Sequence, residues 1–141
     1  MTTFTERSYG HLVARSYASV AELGAAAAED FAAAARQLLA DRDEIGVIFA
    51  SAPSQLPFLQ ALRARTDVGW SRVHVFHMDE YLGMQADHPA SFRRFLDEQL
   101  VNRVHPAGFH QLAGDAADPA VEIARYSALL KEFEPSICVL G

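Results

Sequence analysis

Cysteine occurs once in the 141 residues, at Cys138, which excludes any disulfide within the chain and fits a reducing cytoplasm. Basic residues are in deficit. The chain has 12 Lys and Arg against 18 Asp and Glu, a net charge of −6, and no basic stripe that could neutralise a phosphate backbone, so nucleic acid is not an expected partner. A long apolar run is missing too. The alanine-rich stretch from Ala25 to Ala35 is interrupted by Glu29 and Asp30 and followed by Arg36, well short of the ~20 apolar residues that a membrane span needs. No positively charged leader precedes an apolar run at Met1, so secretion is not expected either. Material for a core is abundant: 50% of the residues are hydrophobic, and the length suits one domain over residues 1–141.

Hydrophobic patterning alternates between helix and strand. "HLVARSY" (11–17) reads as a first, peripheral strand, and the stretch after Ser19 reads as a long helix opened by the S-x-x-E pattern of Ser19 and Glu22. "IGVIFA" (45–50) is a continuous run of the kind a strand covered on both faces shows. After "SAPSQ" (51–55) comes a helix through about Arg65, then the strand "VHVFHM" (73–78) and a loop to Pro89. "SFRRFLDEQLVNRV" from Ser91 reads as one helix with Ser91 as its N-cap. "DPAVEIARYSALLKEF" reads as another, with Asp118 at the N-cap and Pro119 at the first helical position. "ICVLG" (137–141) is a fourth strand.

Strands separated by helices predict a three-layer α/β fold, a mostly parallel sheet flanked by helices on both faces in the Rossmann-like manner. In such a sheet the loops after Ala50, Met78 and Gly141 share the carboxyl edge, where open α/β folds bind ligands. The segment "VHVFHMDEYLG" (73–83) thus runs a strand straight into two carboxylates, Asp79 and Glu80. Position alone leaves two readings open: groups that face a ligand, or charges that solvate a strand end.

The segment "FHMDEYLGMQADHPASFRRFL" (76–96) resembles the signature of glucosamine-6-phosphate deaminases (isomerases), where M-D-E-Y, a following glycine and H-P-x-S-[FY] recur at this spacing. The resemblance extends from "IGVIFA" to "ICVLG". The related 6-phosphogluconolactonases share the fold but typically carry Arg after the acidic pair, where this chain has Tyr81. The resemblance implies that Asp79 is the general base moving a proton from sugar C2 to C1, and that no cofactor and no metal is needed. Its substrate would be a phosphorylated hexosamine, converted to a ketose phosphate and ammonia. Adjacent extended residues point to opposite faces, so Glu80 is expected to brace the loop while Asp79 leads into the cleft. Tyr81 is expected to pack beneath the loop or hydrogen-bond within it, and Gly83 to supply a positive φ at the turn.

"SAPSQ" occupies the place of the family's phosphate loop, usually T-G-[GS]-[ST]-P. Ser51, Ala52, Ser54 and Gln55 are therefore the expected phosphate-binding residues, with Ala52 where a glycine is usual and Pro53 lacking an N–H. Read without the resemblance, the same residues fit a serine-proline turn that caps a helix. His77 and Asp79 stand two apart on one strand, with His74 and His88 nearby, yet no H-x-x-x-H or clustered cysteines point to zinc. The histidines are expected in core or supporting roles, with His88-Pro89 shaping the loop ahead of Ser91. In the family the strand resembling "ICVLG" leads into a glycine-rich loop bearing the ring-opening histidine, so the resemblance makes this chain the first half of the fold. A lactonase-type hydrolase and a noncatalytic sugar-phosphate-binding module remain as alternative functions, and homo-oligomerisation stays open.

Overall fold

The computed structural model describes residues 3–141. Met1, where the sequence shows no charged leader, lies outside them. Helix α1 (Val20–Asp41) starts at Ser19, whose hydroxyl accepts the Glu22 N–H at 3.2 Å. Its buried stripe of Ala28, Phe31, Ala32, Ala35 and Leu39 recurs at spacings of three and four, so one face meets the sheet. Strands β3 (Ile45–Phe49) and β4 (Val73–His77) are the two inner strands of a four-stranded sheet. The short strands β5 (Gly108–His110) and β6 (Ile137–Val139) flank them in the order β5-β4-β3-β6, and every pairing is parallel.

Side-chain alternation divides the sheet into two faces. Ile45, Val47, Phe49, Val73 and Val75 form the principal core with α1, with Phe58, Leu59 and Leu62 of α2 (Leu56–Arg63), and with Leu96 and Leu100. On the opposite face α5 (Pro119–Phe133) lays Tyr126 edge-on against Phe76, and Phe133 near His74, Phe76 and His110. Three layers result, with helices on both faces. Asp118 caps α5 by accepting the Ala120 N–H at 2.9 Å, with Pro119 in the first turn.

Several elements differ from the sequence reading. The strand at 12–17 is outside the parallel sheet: β2 (Leu12–Tyr17) pairs antiparallel with an unforeseen β1 (Phe4–Tyr9) across Gly10. "FTERSY" buries nothing and so shows no apolar alternation to read. Strand β5 is three residues long, too short for periodicity to register. Ser91 does cap the following helix, accepting the Arg94 N–H, but the helix is not uniform. An α segment, α3 (Phe92–Leu96), widens into a π turn (Asp97–Val101) before α4 (Asn102–Val104). The wide turn keeps both Leu96 and Leu100 fully buried. Strand β6 ends at Val139, two residues earlier than read. No helix among the described residues is long and apolar enough to cross a membrane.

Candidate active site

The register of the sheet fixes which loops meet. Phe49 pairs with His77 on one side and Val139 on the other, so three strands end level with one another. The loops that follow, with Ser51 to Gln55, with Asp79 to Gly83, and with Leu140 and Gly141, leave from one edge at strand spacings of ~4.8 Å. Asp79 stands two residues beyond the end of an inner strand, and its side chain is exposed.

Glu80 has the opposite environment. Its carboxylate is fully buried and accepts the Ser91 hydroxyl at 2.6 Å and the backbone N–H groups of Tyr81, Phe92 and Arg93 at 3.1–3.2 Å. The Arg93 guanidinium adds a further bond at 3.2 Å and reaches on to the Met84 carbonyl and to Asp115. Burial pushes the Glu80 carboxyl upward, but these donors outweigh it and hold the group below the usual carboxylate range. The loop is thus tied to the first turn of α3 through a side chain that substrate cannot reach. Tyr81 is half exposed, with its ring 4.9 Å from that of Phe92. Gly83 has φ +78°, and its N–H donates to the Gly114 carbonyl at 2.7 Å. Gly114 is glycine for a steric reason: a Cβ there would collide with the Tyr81 carbonyl oxygen.

Residues 111–115 form a rear wall that the sequence did not announce. The Leu112 N–H donates to His77 Nε2 at 2.9 Å, and the Ala113 N–H donates to Glu122 at 2.7 Å. Arg125 bonds both Glu122 and the Gln111 carbonyl. Hydrogen bonding to Arg125 draws the Glu122 carboxyl down to about 2. The bonds that hold this wall's backbone span 9 to 35 residues in sequence, so no local spacing reveals them. Ser91 was legible as a helix cap, but not as a partner of Glu80.

In the 51–55 segment a 3₁₀ turn (Pro53–Gln55) leads directly into α2. Its cap residue is Ala52, and the cap of α2 is Gln55. Neither makes a side-chain capping bond, so both serines are left out of helix capping. The N–H groups of Gln55 and Leu56 are already used by the Ala52 and Pro53 carbonyls. Gln55 turns inward: it is buried, and its amide donates to the Leu140 carbonyl at 3.3 Å, tying this loop to the end of β6. Ser51 and Ala52 are half-buried and Ser54 is exposed. A cleft of about 550 Å³ lies elsewhere, between the 86–87 loop, α3, the π turn and Gln111; neither Asp79 nor the serines line it. Among the described residues no group of three or more His, Cys, Asp and Glu is placed to hold a metal.

The parallel sheet thus places a carboxylate loop and a hydroxyl-bearing loop at one edge. The chain matches the family described as glucosamine-6-phosphate isomerases/6-phosphogluconolactonase over residues 18–141, and it belongs to that family. Among curated relatives, the glucosamine-6-phosphate deaminase of Proteus mirabilis (strain HI4320) is 41% identical over 68 residues, 47% of this chain and 25% of that protein. The deaminase of Cellvibrio japonicus (strain Ueda107) is 42% identical over 67 residues, 46% of this chain and 26% of that protein. A solved monomeric glucosamine-6-phosphate deaminase superposes with a TM-score of 0.71 at 16% identity, covering 83% of this chain and 49% of that one. A 6-phosphogluconolactonase from Shewanella baltica OS155 gives 0.72 at 22%, covering 82% and 49%. The fold is therefore shared across both activities. The chain spans about half the length of these solved relatives, and the curated matches take in about a quarter of theirs.

Proposed function

We propose that the chain carries the base and phosphate loops of an amino-sugar phosphate deaminase-isomerase, acting in the cytoplasm on glucosamine 6-phosphate or a close relative. In this reading Asp79 takes the proton from sugar C2 and returns it to C1. The Ser51 and Ser54 hydroxyls, together with backbone at Ala52, receive the phosphate. The observation that carries the reading is the register Phe49–His77, which sends the two loops out side by side from adjacent strands. Glu80 supports it from behind, since a carboxylate buried under that many donors is unavailable for proton transfer and leaves Asp79 as the exposed one of the pair.

Tyr81 after the acidic pair, where lactonases resembling this fold carry Arg, favours the deaminase over the hydrolase. The phosphate assignment has a direct test in calorimetric titration with glucosamine 6-phosphate and with glucosamine. Ser51→Ala and Ser54→Ala are each expected to weaken the phosphorylated sugar by about 0.5–1.5 kcal/mol while leaving the free sugar unchanged. Equal losses for both ligands would remove the 51–55 loop from phosphate binding.

A further inference from the structure

His77 is the last residue of β4 and is buried to 1% exposure, yet each of its polar atoms is matched. Its backbone N–H donates to the Tyr126 hydroxyl at 3.0 Å, and the same hydroxyl donates to its carbonyl at 2.7 Å. Strand β5 ends at His110, opposite Phe76, so Tyr126 takes the place of a strand neighbour for the final residue of β4. Ring nitrogen Nε2 faces the Leu112 N–H at 2.9 Å, and Nδ1 faces the Asp79 carbonyl oxygen at 3.0 Å. An amide N–H can only donate and a carbonyl can only accept. Nε2 must therefore be bare and Nδ1 must carry the proton, so the ring is neutral and in one tautomer.

We infer that His77 is a positioning residue for Asp79: its Nδ1–H holds the Asp79 carbonyl from below, fixing the peptide from which the carboxylate enters the cleft. The inference rests on the reading of Asp79 as the base. The loop is clamped twice, at the Asp79 carbonyl by His77 and one residue later at the Glu80 carboxylate by Ser91 and α3. Between the clamps Asp79 keeps its side chain free but not its backbone, the arrangement that a base acting at a fixed carbon requires. A second proton on the ring would set Nε2–H against the Leu112 N–H and detach the imidazole from the rear wall. The charges that face the ring are Asp79 and Glu80 on its own loop, which favour that proton, and Arg93 on α3, which opposes it. Tyr126 on α5 presents a neutral hydroxyl, and burial outweighs the rest to hold the ring's pKa below its ordinary value.

Two amides separate the two ring contacts. An Asn side chain places a donor near the Nδ1 position, and a Gln side chain reaches the Nε2 position. In the protein at its full encoded length, His77→Asn is expected to keep kcat for ketose formation within about threefold. His77→Gln is expected to lower kcat by about 10- to 100-fold with KM little changed. The Asn variant, lacking a titrating ring, should also hold its activity to lower pH than the wild type. Equal kcat losses in both variants, tracking their loss of thermal stability, would reduce His77 to a packing residue, and a Gln variant more active than the Asn variant would overturn the inference. ¹⁵N spectra of the imidazole provide a readout independent of turnover: a protonated Nδ1 and a bare Nε2 are expected, with a slowly exchanging Leu112 amide, and the opposite tautomer would refute the clamp. If the tautomer holds while wild-type protein forms no ketose from glucosamine 6-phosphate, it is the functional reading that fails.

Discussion

Adjacent carboxylates at 79 and 80 show how one residue step separates an exposed side chain from a buried one. Asp79 is exposed, whereas Glu80 is buried among the Ser91 hydroxyl, three backbone N–H groups and the Arg93 guanidinium. The alternation of an extended chain was enough to anticipate that the two would face different ways. The identity of the Glu80 partners was not legible, because Ser91 and Arg93 lie 11 and 13 residues on, across a loop without periodicity. Replacing Glu80 with Gln substitutes an amide for an acceptor of several donors and leaves the buried guanidinium poorly matched. Glu80→Gln is expected to lower unfolding stability by about 1.5–3 kcal/mol in urea titrations. A change within ~0.5 kcal/mol, the range of ordinary surface substitutions, would show that the loop holds its shape without this anchor.

At the scale of elements, the long buried strands and capped helices could be read directly. β3 is a continuous apolar run and β4 a Val- and Phe-bearing strand, both covered on both faces, and Ser19, Ser91 and Asp118 each accept the backbone N–H that a cap accepts. Short or exposed pieces escaped: β1 because its residues are all exposed, β5 because three residues show no period, and the π turn because widening a helix leaves its composition unchanged. The 111–115 wall escaped for a different reason, since its work is done by backbone groups. Glu122 on α5 is the side chain that secures it, accepting the Ala113 N–H and pairing with Arg125. Glu122→Ala is expected to cost about 1–3 kcal/mol through the orphaned N–H. It should also raise hydrogen exchange at Leu112 and Ala113 before it affects the β3–β4 ladder. Uniform exchange throughout the chain would contradict the wall as a local unit.

For the whole molecule, the shifted histidines and carboxyls around the site act in one direction as pH falls. His77 and His110 have pKa values lowered from 6.5, chiefly by burial, so the unfolded chain binds more protons than the native one as pH falls below that value. Their contribution is complete above about 6.5 and is lost as pH drops through that value toward their native pKa values. Glu122, held at about 2 by Arg125 first, contributes fully above 4.5 and loses that contribution as pH falls toward 2; Glu80 acts in the same sense. Acidification from neutrality should therefore lower stability in two stages, as urea midpoints across pH would show, with the upper stage reduced in His77→Asn. A stability maximum on the acid side would reverse the sign and refute the assignment. The parallel sheet that brings the loops to one edge followed from strand-helix alternation, whereas the strand order and the inward turn of Gln55 onto Leu140 could not be read from the sequence. The proposed function converges on the exposed carboxylate of Asp79, just beyond the end of β4. The most direct test is single-turnover ketose formation from glucosamine 6-phosphate, beside a binding titration, in the full encoded protein and its Asp79→Asn variant. The amide keeps size and polarity but cannot accept the proton, so turnover should be nearly abolished with affinity changed only a few-fold; a variant that turns over like the wild type would contradict Asp79 as the base.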